Sequence, residues 1–157
     1  MLKLRIIAIP IVLLLGGVSV FAFRAKTTPI ENTITVFHSK SCDCCSKWLS
    51  YLKNNGFSVK ANPVEDMTGI KVKYGVPGSV SSCHTAIVGK YVLEGHVPVQ
   101  AINKLLSEKP DIRGIAVPGM PMGSPGMESL ENERYDVVSF KDGQSRKFMT
   151  FTGAVAH

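Results

Sequence analysis

The chain reads as an α/β sandwich, and three observations predict it. β-rich runs alternate with helical apolar periodicity from residue 33 to residue 106. Gly and Pro punctuate the boundaries between those runs. The 157 residues, 45% apolar and 19% charged, supply one core and exclude a disordered chain.

The elements follow in order. Thr33 to His38 alternate β-formers and predict a first strand. The cysteine-rich S-C-D-C-C-S follows at once. Trp48, Leu49, Tyr51 and Leu52 then recur at helical spacing, and Asn54-Asn55-Gly56 stops the helix. Phe57 to Ala61 reads as a second strand, so the cysteines sit at the turn of a β-α-β unit. Asp66 can cap a short second helix through Tyr74, closed by Gly75 and Pro77. Residues 78–84 (GSVSSCH) read as a loop. Thr85–Val88 and Tyr91–Glu94 form a hairpin about Gly89-Lys90. Pro98 opens a third helix with Val99, Ile102, Leu105 and Leu106 on its apolar face, and Pro110 lies beyond its end. This β-α-β-α-β-β-α order describes a thioredoxin-like sandwich. Residues 114–128 (GIAVPGMPMGSPGME) break the pattern, since Gly and Pro fill seven of the fifteen positions, and read as an irregular loop. Tyr135–Phe140 and Arg146–Phe151 flank Asp142-Gly143 and predict a C-terminal hairpin with a longer loop.

The ends are read from composition. Residues 6–23 (IIAIPIVLLLGGVSVFAF) hold no charge, with Lys3 and Arg5 before them and Arg24 and Lys26 after. A basic start, an apolar stretch and a small-residue site at Val20-Phe21-Ala22 have the form of a secretory leader. Eighteen apolar residues are also the lower limit for a membrane anchor. Residues 1–26 are therefore expected to be a signal peptide or anchor, 27–32 a linker, 33–151 the folded domain and 152–157 a tail. Cleaved or retained, the leader places the domain outside the cytoplasm and offers the chain's one route to a membrane. The formal net charge is +6, without a basic run or interleaved aromatics. That is a solvated surface, and nucleic acid is not an expected partner.

Four cysteines in an exported chain would ordinarily form two disulfides. Here Cys42, Cys44 and Cys45 fall within four residues, and Cys83 is 38 residues beyond Cys45. A bridge between adjacent Cys44 and Cys45 would be strained. A Cys42–Cys45 bridge is geometrically easy, and one member of the cluster could reach Cys83. A two-disulfide framework stays open beside a reactive or metal-binding cluster. At a helix N-terminus, free N–H groups and the helix dipole favour thiolate, which serves a redox thiol or a metal ligand.

Two chemistries compete. Cys42 and Cys45 have the C-x-x-C spacing of thiol–disulfide oxidoreductases. Thioredoxin-like redox proteins commonly carry a cis-proline before the third strand, where this chain has Ser82-Cys83-His84-Thr85. For metal, thiolates select Cu(I) or Zn(II), and thioethers favour Cu(I). A Cys₄ zinc site takes two C-x-x-C-type pairs, which one triplet and one single do not supply. Crowded bridging thiolates suit several Cu(I) ions. His84 adjoins Cys83, and His96 lies in the loop before the third helix; both are candidate ligands. His38 reads as an ordinary strand-end histidine. Met120, Met122 and Met127 are weaker candidates, since methionine also fills gaps in packing.

The motifs S-C-D-C-C-S-K-W, G-V-P…S-C-H-T-A, V-L-E-G-H-V-P and G-I-A-V-P-G-M-P-M-G-S-P-G-M-E, taken together, resemble the CopG-type copper-resistance family across about residues 33–151. The resemblance implies a periplasmic thioredoxin-like protein that binds copper through its cysteines and supports copper resistance; copper ions and other periplasmic copper-handling proteins are the expected partners. It implies Cys42, Cys44, Cys45 and Cys83 as thiolate ligands, with His84 and His96 as further ligands. One departure stands at Asp43, where the family usually has Gly; its carboxylate could cap the helix. The expected function is Cu(I) binding in a multi-cysteine site with room for more than one ion. The alternative is a thiol–disulfide or copper oxidoreductase using Cys42 and Cys45.

Overall fold

The structure is a computed structural model that describes residues 32–157. The leader expected at residues 1–26, and the linker up to residue 31, lie outside the described residues. Among the described residues no helix is long and apolar enough to cross a membrane.

The fold is mixed α/β. The elements run β1 (Thr33–Ser39), α1 (Asp43–Asn54), β2 (Ser58–Val64), α2 (Met67–Tyr74), a 3-10 turn (Gly78–Val80), β3 (His84–Val88), β4 (Tyr91–Glu94), α3 (Val99–Glu108), β5 (Gly114–Ala116), β6 (Arg134–Lys141), β7 (Gln144–Thr152) and β8 (Val155–Ala156). All strands join one eight-stranded sheet in the order β2-β1-β3-β4-β5-β6-β7-β8. β1 is parallel to β2, and β4 to β5; every other neighbouring pair is antiparallel.

Alternation along the strands divides the core between the two faces. Ile34 and Val36 of β1, Ala86 and Val88 of β3, Leu93 of β4 and Ile115 of β5 pack with Trp48, Leu49 and Leu52 of α1 and Ile102 and Leu105 of α3. Val92, Ala116 and Phe140 form a smaller cluster with Val80, against which Tyr74 and Val76 pack. Helices α1 and α3 thus cover one face and α2 the other. Every residue of β4 is buried, as expected of a strand covered on both sides.

Local chemistry explains the ends. Asp66 caps α2 by accepting the Gly69 N–H at 2.8 Å, and Gly75 closes it in the left-handed region at φ 69°. Gly89 has φ 54° in the two-residue β3–β4 turn.

Several boundaries differ from the sequence reading. Asp43 is the first helical residue of α1 rather than its cap; Cys42 holds the cap position, with no side-chain cap bond. Asp43 still places a carboxylate in the first turn, where the helix dipole favours it. Pro98 is the cap of α3 and Val99 its first residue. Gly78–Val80 is a 3-10 turn inside the expected loop. Gly114–Ala116, expected to be irregular, is β5: its three residues pair with β4 on one side and β6 on the other. The C-terminal turn is tighter than expected. Asp142 and Gly143 alone connect β6 to β7, both at positive φ (50° and 78°), the pairing a type I′ turn requires.

Removing the α2 cap by Asp66→Ala is expected to cost about 1 kcal/mol. Urea denaturation of the folded domain measures it, and an unchanged midpoint would show that the cap contributes nothing.

Candidate metal centre

The strand directions bring the chemistry to one end of the sheet. β1 runs up to the cysteine turn, and β3 starts from that end because His38 pairs with His84 in antiparallel register. β4 returns to the same end at Glu94, and Gly95-His96 follow it. β5 is parallel to β4, so it too delivers the Gly/Pro/Met segment there.

Two groups of donor atoms converge. The sulfurs of Cys42, Cys44, Cys45 and Cys83 lie within 4.8 Å of one another, and so do donor atoms of Cys83, His84 and His96. Cys83 belongs to both groups. Cys42 and Cys45 are joined as a disulfide, while Cys44 and Cys83 are free. The Cys44 sulfur lies 3.5 Å from that of Cys42. Cys45 is fully buried, and the other three are half-buried.

Cys83 sits between two imidazoles. Its sulfur is 3.1 Å from His84 Nδ1 and 3.1 Å from His96 Nε2. His96 Nδ1 is 2.7 Å from the Pro125 carbonyl, which can only accept, so Nδ1 carries the proton. The Nε2 lone pair of a neutral His96 therefore faces the Cys83 sulfur. His84 is fully buried, and its Nε2 is a buried nitrogen with no hydrogen-bond partner among the described residues. An orphaned buried nitrogen is costly, and such exceptions concentrate at sites with a chemical role.

Burial governs the charges here. It pushes the Cys83 thiol up to about 12, with the neighbouring Cys44 adding to the rise. It holds His84 well below the ordinary histidine range, aided by the Lys71 ammonium and by the unfavourable charging of two neighbouring imidazoles, His84 and His96, together. Burial also lowers His96, opposed by its bond to Pro125 and by Glu128. Bare charge is thus disfavoured on every donor whose titration is displaced. A bound cation removes that penalty for a thiolate, because metal replaces the proton on sulfur. The donors are sulfurs and imidazoles with no carboxylate in either group, a set that fits a soft metal ion such as copper. Four thiolates require the Cys42–Cys45 bridge to be reduced; with it closed, Cys44, Cys83 and the two imidazoles remain.

Packing explains the shape. Trp48 stacks on His84 with ring centroids 4.3 Å apart and donates its indole N–H to the Val97 carbonyl at 3.0 Å. Gly126, at φ 86°, has no room for a side chain: a Cβ would lie 3.0 Å from the Cys44 carbonyl oxygen and 3.2 Å from His96 Nδ1. Ser82 Oγ donates to the Gly119 carbonyl at 2.6 Å. The segment from Gly119 to Gly126 therefore arches over the site with both feet on it. Met120 and Met122 are exposed on this arch, and Met127 is half-buried beyond it.

The structure brings together the four cysteines, His84 and His96 that the sequence singled out. His38, read as an ordinary strand-end histidine, is buried opposite His84, and sequence reasoning passed over the ion pair of Lys71 with the fully buried Glu94. It also passed over the stacking of Trp48 on His84 and the close approach of Gly126. The G-H-V-P and S-P-G motifs were visible; their long-range partners were not.

The depressed histidines set a pH dependence. Burial lowers both in the fold, whereas they protonate near 6.5 once unfolded. Protons then bind the unfolded state preferentially below that pH, so stability is full above it and declines as pH falls. Urea midpoints of metal-free protein are expected to fall between pH 7.5 and pH 5.5, and to fall less in His84→Phe. A midpoint independent of pH across this range would contradict the burial of these rings.

A family profile described as "Protein of unknown function, DUF411" matches residues 80–127, which hold Cys83, His84, His96 and the arch. No curated protein matches the chain. A solved structure named "Copper resistance protein copG- Form 2" is 41% identical, with a TM-score of 0.72 over 76% of this chain and 97% of the other. A second, "Copper resistance protein copG- Form 1", is also 41% identical at a TM-score of 0.72, covering 77% and 98%. With 41% identity over about three quarters of this chain and nearly the whole of the solved protein, the chain belongs to the CopG-type copper-resistance family.

Proposed function

We propose that this chain is an exported, periplasmic copper-binding protein of thioredoxin-like fold that holds Cu(I) in a multi-cysteine site and contributes to copper resistance. The observation that carries the reading is the convergence of four cysteine sulfurs within 4.8 Å, with Cys83 shared by a second group containing His84 and His96. Bridging sulfur is what a polynuclear Cu(I) site uses, and Cys83 is placed to serve two groups of donors at once. The charge-free stretch at residues 6–23 supports export, and copper-resistance relatives support the choice of metal. The β2-β1-β3-β4 order, with β3 antiparallel to β1, supports the thioredoxin-like reading.

Each residue has a role in this reading. Cys44 and Cys83 are the thiols available while the bridge is closed. Cys42 and Cys45 join them on reduction. His96 presents Nε2 because Pro125 holds its other nitrogen. Asp43, Met120 and Met122 stay at the surface, where the two methionines offer soft sulfur to copper outside the cysteine site.

The test is a Cu(I) titration of reduced protein under a competing chelator. More than one tightly held Cu(I) per chain is expected, with Cys83→Ser losing most of that capacity. Capacity below one per chain in the parent would end the proposal.

A second reading has its own observation. The Cys42–Cys45 disulfide, a C-x-x-C pair at the N-terminus of α1, is the arrangement of a thiol–disulfide redox couple. It predicts turnover of a disulfide or Cu(II) substrate that survives both Cys44→Ser and Cys83→Ser. Storage predicts no turnover in the parent, and loss of copper in those variants.

A further inference from the structure

Glu94 is fully buried at the end of β4, yet it belongs to neither converging group of donors. Its carboxylate receives three hydrogen bonds. Lys71 Nζ donates to Oε1 at 2.5 Å, the Ser82 N–H to the same oxygen at 2.6 Å, and Thr85 Oγ1–H to Oε2 at 2.7 Å. Ser82 precedes Cys83, and Thr85 follows His84. One carboxylate therefore grips the Cys83-His84 dipeptide from both sides.

The same residue leads into the other imidazole. The chain continues from Glu94 through Gly95 to His96, and the Gly95 N–H donates to the His84 carbonyl at 3.0 Å. Gly95 is wedged: a Cβ there would lie 2.6 Å from both Ser82 Oγ and the Val117 carbonyl oxygen. The Val117 N–H donates to the Glu94 carbonyl at 2.9 Å, so the start of the arch is fastened to the same point.

Stability alone does not account for an ion pair in this place. A buried pair is often no better than apolar residues of the same volume. What an apolar pair cannot do is accept a backbone N–H and a hydroxyl through two oxygens at fixed separation. Lys71 comes from α2, outside the donor groups, and bonds both Glu94 and, at 3.2 Å, Thr85 Oγ1. It neutralises the carboxylate while leaving those two acceptor directions in use.

We infer that Glu94, with Lys71 as its counter-ion, is the positioning residue that fixes Cys83 against His84 and His96. The inference deepens the copper reading, on which its functional meaning rests, but its geometric claim is tested without metal.

With the Cys42–Cys45 bridge closed, Cys44 and Cys83 are the free thiols. Their alkylation by iodoacetamide, followed residue by residue by mass spectrometry, reports how well each sulfur is held. Glu94→Gln keeps the size but sets an amide N–H₂ against a donor, and is expected to raise the Cys83 rate relative to Cys44 about tenfold. Thr85→Val removes one arm without leaving Lys71 unpaired, and is expected to raise the ratio about threefold. Leu105→Val, a core change outside this network, should leave the ratio as in the parent. A ratio within about twofold of the parent in both network variants overturns the inference, as does an equal rise in Leu105→Val. If Glu94→Gln does not fold, Thr85→Val decides alone. Where Glu94→Gln folds, competition titration with Cu(I) should show affinity about tenfold weaker than in the parent. A parent that binds no Cu(I) sinks the functional reading, while the alkylation ratios still decide the positioning.

Discussion

The antiparallel pairing of β3 with β1 is the constraint on which the site depends. Cys83 and His84 are nearly forty positions from the cysteine triplet, and nothing local relates the two. Pairing His38 with His84 sets the start of one strand against the end of the other. A slip of one residue would turn His84 to the opposite face and leave Trp48 stacked on something else. Once that register holds, the β3–β4 hairpin and the parallel β5 return the remaining motifs to the same end of the sheet.

The interior then poses an electrostatic problem that metal is suited to solve. The Cys83 thiol and two imidazoles are gathered where burial resists charge, with a His84 nitrogen left without a partner among the described residues. Without a cation, burial favours their neutral forms. On the proposed reading, copper supplies the charge that makes several adjacent thiolates tolerable. The Lys71–Glu94 pair stands apart from this exchange because its charge is balanced within the protein.

Much of this was legible in the sequence. The β-α-β start, the hairpin at Gly89-Lys90 and the capping Asp66 are local signals, and each appears in the structure near its expected place. The cysteines and two histidines stand out by residue type. What escaped depends on distant partners. Gly-Ile-Ala is a strand only because β4 and β6 lie on either side of it; alone, it is three residues in a Gly/Pro-rich stretch. Glu94 reads as the polar end of a hairpin until folding brings Ser82, Thr85 and Lys71 to it. Gly126 reads as one more loop glycine until Cys44 and His96 occupy the space beside it.

The bridge between Cys42 and Cys45 spans a sequence separation of only three. A ring that small removes little conformational freedom from the unfolded chain. The loop-entropy relation gives about 2 kcal/mol, against almost 5 kcal/mol for a loop of about 100 residues. The fold instead rests on the apolar packing of α1 and α3 against the sheet. Opening the bridge therefore changes the chemistry of two sulfurs while leaving the architecture that carries them. Oxidised and reduced molecules are two chemical states of one scaffold, and passage between them requires no refolding.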